Sequence, residues 1–404
     1  MTGLHDAVVV ATARTPIGRA GKGSLASVRP DDLAAHAVGA ALAKVPELPP
    51  GEIEDLLLGC AQPAGESGFN MARVVALLAG LPQAGGATIN RKCASSLQAI
   101  RSAAHAIALG EGTAYVAAGV EAVSRFGAGR ADDGPPNPRF SPAMDRSARR
   151  AGGGEPPWQP IEGLPDIYVA MGLTAENVRE VEGVTRAEMD EFAARSQQRA
   201  VAAVASGFHG LDIAPVTLAD GTVVDRDDCP RPGVTPESLA ALRPVFRADG
   251  EVTAGNACPL NDGAAAVVLM RADRARELGI TPRARIVTSA VSGLDPEVMG
   301  LGPVEATRRA LARAGMTIGD LDLIEMNEAF AAQVVPSARR LGIDEDRLNV
   351  HGGAIALGHP FGMTGARILG TLFHGLRAVD GTIGLETMCV GGGQGMATVV
   401  ERLA

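Results

Sequence analysis

Thr88-Ile89-Asn90-Arg91-Lys92-Cys93-Ala94-Ser95-Ser96-Leu97-Gln98-Ala99-Ile100 is the stretch on which the fold turns. A short β-type run, Thr88–Asn90, breaks into a polar turn that ends at a cysteine. From Ser95 to Leu109, Ala, Ile and Leu recur at helical spacing. Tyr115–Gly119 then reads as a buried strand. Strand, cysteine-bearing turn, helix and strand form one unit of an alternating α/β fold.

The same alternation extends outward. Upstream, Ala7–Ala11 reads as a buried strand and Arg14–Gly23 as a loop. Asp31 or Asp32 caps a helix through Leu42, Ile53–Cys60 is a strand and Asn70–Leu78 a helix. Regular signals stop near Arg125. Gly127 to Pro165 is dense in Gly, Pro and Arg without periodicity, and a loop of that length is usually functional or mobile. Helical patterns return at Leu173–Val181 and Arg186–Ser206, and a strand at Ala264–Met270. The last third repeats the first in outline. Strands at Arg285–Ser292, Leu323–Glu325, Thr382–Cys389 and Ala397–Arg402 alternate with helices at Pro303–Ala314, Phe330–Leu341 and Met363–Arg377. There, His351-Gly-Gly and His359-Pro360 introduce a helix and a strand, as Asn90–Cys93 do earlier. The expectation is an α/β chain of two related halves on a mostly parallel sheet covered on both faces. The first half takes residues 1–124 and 254–273, an insertion 125–253, and the second half 274–404.

Composition bounds the function. At 404 residues, with 46% hydrophobic and 21% charged, the chain has room for two or three globular domains. A net charge of −9 repels a phosphate backbone, and 3% aromatics give little platform for base stacking, so nucleic acid is excluded as a partner. The longest apolar runs fall far short of the ~18–20 residues that span a bilayer, and no secretory leader is visible. The 5 cysteines are widely spaced without C-x-x-C, which favours a reducing cytosol over a disulfide or zinc framework.

Four features carry chemistry. Cys93 precedes a helix, where free N–H groups and the dipole favour thiolate; a small buried apolar residue is the competing reading. His359 is followed by a proline at the helix entry, which holds its imidazole in place; a structural histidine is the alternative. Cys389-Val-Gly-Gly-Gly-Gln-Gly395 follows a strand and is a Gly-rich turn or a weak nucleotide loop, but not a Walker-type loop. Asn327-Glu328-Ala329-Phe330 lies at a strand-to-helix corner, as a cap or as the holder of a catalytic water.

Together these match one family in order. Ala13-Arg14-Thr15-Pro16-Ile17-Gly18, Asn90–Ser95, Met171-Gly172-Leu173-Thr174-Ala175-Glu176-Asn177, Gly255-Asn256 with Asn261-Asp262-Gly263-Ala264-Ala265, Asn327–Ala331, Gly352–Pro360 and the Cys389 loop all resemble thiolase signatures. The resemblance runs from about residue 8 to 402. It implies two βαβαβαββ halves with an inserted loop domain, and an enzyme that makes or breaks a carbon–carbon bond between acyl-CoA units. It implies Cys93 as the acylated nucleophile, His359 as its activator and that of the incoming CoA thiol, and Cys389 as the acid/base at the acetyl-CoA α-carbon. Asn327 would hold a water in one oxyanion hole, completed by His359, and the N–H groups of Cys93 and Gly391 would form the other. No cofactor or metal is expected; coenzyme A is a substrate. Arg231 would meet the CoA nucleotide, with Arg226, Arg243 and Arg247 nearby. Met171, Phe246, Ala254 and Phe330 would line the pantetheine and acyl pocket. A cytoplasmic homodimer or homotetramer is implied.

The chain also departs from the pattern. Ser96 replaces a usual Gly and could narrow the approach to the nucleophile. Cys258 replaces a pantetheine-contacting Ser, Ala170 a His of short-chain biosynthetic members, and Phe361 an aliphatic residue. The rival readings are a ketoacyl-synthase-type condensing enzyme and a catalytically silent acyl-CoA-binding protein. The Cys389 loop and the Asn327 motif oppose the first, and the intact Cys93/His359/Cys389 set opposes the second.

Overall fold

The computed structural model describes residues 5–404. Its main feature is a ten-stranded sheet made of two half-sheets with the same internal order. In the first, the strands run Ala87–Ile89, Ile53–Gly59, Ala114–Ala122, Asn261–Arg271, Ala7–Arg14 from edge to centre, with the two-residue strand Gly18–Arg19 paired to the start of Asn261–Arg271. In the second they run Leu323–Met326, Ile383–Val390, Gln394–Arg402, Ala284–Gly293. A parallel bridge between Ile324 and Leu348 stands where the first half has its edge strand. The halves join through the antiparallel pairs Val8↔Arg285 and Val9↔Ala284.

The sheet is mixed, not mostly parallel. Among the described strands, parallel ladders form where a helical crossover returns the chain: Ile53–Gly59 with its two neighbours, and Leu323–Met326 with Ile383–Val390. Elsewhere the chain doubles back. Val390 and Gln394 are joined by a three-glycine turn, too short for the crossover that parallel strands require.

Three apolar layers follow from this sheet. Along Asn261–Arg271, Ala264, Ala266, Val268 and Met270 face an outer core under the helices Pro30–Leu42 and Met71–Leu78. Ala265, Val267 and Leu269 face a central core. A strand buried on both faces therefore reads as one apolar run. The central layer holds the helices Ser95–Leu109 and Thr364–Ala378, which pack on each other and on both half-sheets. Every residue from Thr364 to Leu376 is buried, so even the polar stripe Thr364, Arg367, Thr371 and His374 lies inside the protein.

Two strand glycines let these helices sit low on the sheet. A Cβ on Gly59 would lie 2.2 Å from the Ser96 nitrogen, and one on Gly119 would lie 2.0 Å from the Gly362 oxygen. The N-termini of both central helices are thereby brought to one place.

Between Arg125 and Thr253 lie the helices Ser141–Gly152, Met171–Glu182, Arg186–Ala205 and Pro236–Ala240, plus a small Val216–Thr217/Val223–Val224 ribbon. Ser141–Gly152 falls where the sequence reads as loop. Its buried face is Ala143, Ser147 and Arg150, so no leucine stripe announces it. Polar contacts fasten it instead. Arg150 pairs with Glu180 at 2.8 Å, and buried Glu297 accepts from Arg146, from Trp158 Nε1 at 2.8 Å and from Asp166 N–H at 2.9 Å.

Candidate active site

The turn before Cys93 is built by its own side chains. Ser95 Oγ accepts the Arg91 N–H at 2.9 Å and donates to the Lys92 carbonyl at 2.6 Å. Asn90 Oδ1 accepts the Lys92 N–H at 2.9 Å, and Lys92 takes a left-handed φ of 45°. Cys93 follows, two residues ahead of the helix. The N–H groups of Gly391 and of Cys93 itself reach its sulfur and favour thiolate. Burial outweighs them and pushes the thiol up to about 11. This corrects the expectation of a resting thiolate: the helix start helps, but enclosure by protein atoms costs more. Cys93 therefore needs a base.

The buried imidazole of His359 has the hydrogen-bonding pattern of one. Its backbone N–H donates to Asn261 Oδ1 at 3.0 Å. Nδ1 lies 2.6 Å from Thr364 Oγ1, whose single proton goes to the Pro360 carbonyl at 2.8 Å. Thr364 must then accept, so Nδ1 carries the hydrogen and Nε2 the lone pair. Asn327 Nδ2 faces Nε2 at 3.3 Å, as its donor. Burial first, and then the charge of Arg367, hold the imidazole down to about 3, so it is neutral at physiological pH. Pro360 does not open the α-helix directly. It caps a 3₁₀ turn, Phe361–Met363, and the helix proper begins at Thr364.

Asn327 leaves the strand Leu323–Met326 with its N–H on the Thr387 carbonyl at 3.0 Å. Its Oδ1 is buried with no protein partner, and a bound water is the natural complement. The neighbouring Glu328 is structural: its carboxylate accepts from Ser196 at 2.6 Å, Asn349 at 2.8 Å and the Ile355 N–H at 3.1 Å. Cys389 is the penultimate residue of the neighbouring strand Ile383–Val390 and is fully buried; burial pushes its thiol well up. The turn after it needs glycine. Gly393 has φ 75°, and a Cβ there would lie 2.2 Å from the Leu294 oxygen.

Beside Cys93 opens a cavity of ≈ 780 Å³, lined by Met144, Ile167, Val169, Met171, Phe361 and Gly391, with Arg91, Lys92 and Asp132 on its polar side. The other predicted substrate contacts lie outside that cavity. The Phe246 ring stands over Gly172, where a Cβ would come within 2.0 Å, and meets Phe330 edge-on at 5.8 Å. Cys258, half-buried, donates its N–H to the Ala329 carbonyl at 3.1 Å, and Ala254 is exposed. Arg231 is exposed, and among the described residues its side chain joins no ion pair; the same holds for Arg226 and Arg243. Arg247 differs: it pairs with Glu180 at 2.5 Å and Asp249 at 2.8 Å, and so belongs to the scaffold.

Several residues escaped the sequence reading. Ser96 does not crowd the cavity. Its hydroxyl accepts the Ala366 N–H at 3.0 Å and ties the central helices together. Buried Glu121 accepts N–H groups of Ala61 at 2.9 Å, Gln62 at 3.2 Å and Gly362 at 2.9 Å, fastening the loop after His359 to the first half. Thr364 and Arg367 act on His359 from the helix behind it. Only Thr364, five residues after the histidine, had a readable signal.

Comparison with known proteins adds the following. A family model described as the thiolase N-terminal domain matches residues 7–273, and one described as the thiolase C-terminal domain matches 280–402. The 3-ketoacyl-CoA thiolase of Aeromonas salmonicida (strain A449) is 45% identical over 409 residues, covering 99% of this chain and 100% of its own. That of Vibrio vulnificus (strain YJ016) is 45% identical over 408 residues with the same coverage. The crystal structure of the Bacillus anthracis acetyl-CoA acetyltransferase superposes with TM-score 0.86 at 39% identity, covering 100% of both chains. The acetyl-CoA acetyltransferase from Syntrophomonas wolfei gives 0.85 at 36%, covering 98% of this chain and 99% of that one.

Proposed function

The chain belongs to the thiolase family, and from that premise we propose how its own residues carry out thiolase-type acyl transfer on acyl-CoA. It is an acyl-CoA C-acyltransferase. We read Cys93 as the nucleophile. As its sulfur attacks the 3-keto carbon, Nε2 of His359 takes the thiol proton. The oxyanion forms in one of two donor sets: the N–H groups of Cys93 and Gly391, or a water on Asn327 together with His359. Each such donor is worth ~3–4 kcal/mol in the transition state. The carbon–carbon bond then breaks, and Cys389 protonates the departing acetyl-CoA enolate. In the second half CoA attacks the thioester. The proton held by His359 passes to the Cys389 thiolate, Nε2 then takes the proton of the attacking CoA thiol, and that proton goes to the Cys93 sulfur as it leaves, which restores the resting state. A covalent thioester makes the kinetics ping-pong.

The observation that carries this reading is the hydrogen-bond pattern of His359, in which Thr364 engages Nδ1 at 2.6 Å and leaves Nε2 with only the long 3.3 Å contact to Asn327. Incubation with acetyl-CoA should leave a hydroxylamine-labile acetyl group on Cys93, seen by mass spectrometry. An unmodified wild-type protein, or normal turnover by Cys93→Ser, would reject it.

The CoA nucleotide we assign to Arg231, because a −9 chain needs a local cation for an anionic substrate, and Arg231 combines the position implied by the family motif with an exposed guanidinium that has no carboxylate partner among the described residues. Arg231→Ala should raise KM for CoA about tenfold with kcat nearly unchanged, the pattern of lost uniform binding. An equal fall in kcat would move Arg231 out of that role. A homodimer or homotetramer in a reducing cytoplasm is the assembly and setting that go with this reading.

A further inference from the structure

One buried side chain joins three parts of the chain beside His359, and the reaction above does not use it. Asn261 opens the strand Asn261–Arg271 and is fully buried. Its Oδ1 accepts the main-chain N–H of His359 at 3.0 Å. Its Nδ2 donates to the Gly18 carbonyl at 3.0 Å and to Cys229 Sγ at 3.3 Å. The partners fix which end of the amide is which: a main-chain N–H only donates and a carbonyl only accepts, so the amide cannot be turned over. Its oxygen engages the second half, and its nitrogen the first half and the insertion.

The surroundings are built to this amide. Gly358, just before the histidine, has φ 109°, and a Cβ there would lie 2.6 Å from Asn261 Cγ. The amide thus lies directly against the main chain that carries the imidazole, at a place where a side chain has no room. On the other side, the segment that bears Cys229 is anchored to the first half. Asp227 pairs with Arg14 at 2.7 Å and accepts the Ile17 N–H at 2.8 Å, and Asp228 accepts the N–H groups of Arg19 and Ser24 at 2.9 Å each. The imidazole itself is met by Thr364 and Asn327, both of the second half. Asn261 instead ties the histidine's own main chain to the half that carries Cys93. We propose that Asn261 is a positioning residue for the reaction: its amide holds the main chain of His359 in register with the first half, so that Nε2 is presented to the Cys93 thiol from a fixed place. The inference rests on the assignment of His359 as the base.

The test is single-turnover acetylation by acetyl-CoA, followed as CoA release per folded molecule, with the main-chain amide of His359 observed by NMR after ¹⁵N-histidine labelling. Asn261→Ala should lower the limiting rate by about 30-fold, within what a small misplacement of a reacting group costs. The acetyl-CoA concentration at half-maximal rate should stay within about twofold, as for a loss confined to the transition state. The His359 amide proton should move upfield and exchange faster with solvent. Asn261→Asp keeps an oxygen for His359 and, when protonated, one donor for Gly18. It places an ionisable group in a buried site and so costs stability, yet it should recover most of the rate. If Asn261→Ala does not fold, Asn261→Val fills the space without polar atoms and should show the same fall. A folded Ala or Val variant acetylated at the wild-type rate overturns the proposal, as does an Asp variant slower than wild type by about tenfold or more. If instead wild type never acetylates, the assignment of Cys93 and His359 fails, while an unmoved His359 amide in the Ala or Val variant would still overturn the positioning role.

Discussion

Cys389→Ala is expected to accept an acetyl group on Cys93 yet to lose carbon–carbon bond making and breaking by about 10³-fold. General acid/base groups contribute ~10²–10⁴, and burial keeps this one above the low end of that range, because water cannot replace it. In the resting protein burial holds its thiol protonated. That is the form needed to protonate an enolate. Exchange of the acetyl-CoA methyl hydrogens in deuterated water isolates the step. Wild type should exchange them, and Cys389→Ala should not while still becoming acetylated. Exchange at the wild-type rate in the variant would assign the proton transfer elsewhere.

His359→Ala is expected to slow acetylation of Cys93 by ~10³–10⁴-fold, the loss of a base facing a thiol held near 11. Thr364→Val should reproduce a fraction of this, because it releases the hydrogen bond that fixes the tautomer. Rapid-quench acetylation at fixed pH measures both, and a Thr364→Val rate equal to wild type would remove the tautomer argument. The pH dependence has a defined sign. His359, near 3, and His209 and His351, near 4, bind protons less readily folded than unfolded, where the value is about 6.5. Their contribution to stability is present above pH 6.5 and is lost as pH falls toward those folded values. Glu121, near 7, and Glu325, near 8, have the opposite sign and cost stability as pH rises from about 4.5. The acid limit of activity should therefore follow the thermal midpoint and not a histidine titration; a limb near 6.5 in fully folded enzyme would contradict this.

The sequence made legible what depends on pattern. The helix Ser95–Leu109, the strands around it and the repeat in the last third were visible because apolar periodicity and turn residues specify them. Strand direction was not visible, since alternation with helices is compatible with chains that double back through a glycine turn. The helix Ser141–Gly152 was hidden because it docks through arginines. The positions that matched the family motifs were legible as positions. Their protonation states were not: Cys93 precedes a helix, but only its surroundings in space reveal that burial exceeds the dipole. Ser96 read as an obstruction and is a tie between helices, because direction along a helix surface depends on the partner it packs against.

The seam between the half-sheets has a kinetic consequence. Cys93 belongs to the first half, and His359, Asn327 and Cys389 to the second, while the strand pairing between halves is confined to Val8–Val9 and Ala284–Arg285. Neither half alone can assemble a nucleophile with its base. During refolding, each half can regain its helices and strands while acyl transfer stays at zero, and activity returns only with docking. Catalysis is thus an optical silence broken late: a reporter of the last assembly event that circular dichroism passes over.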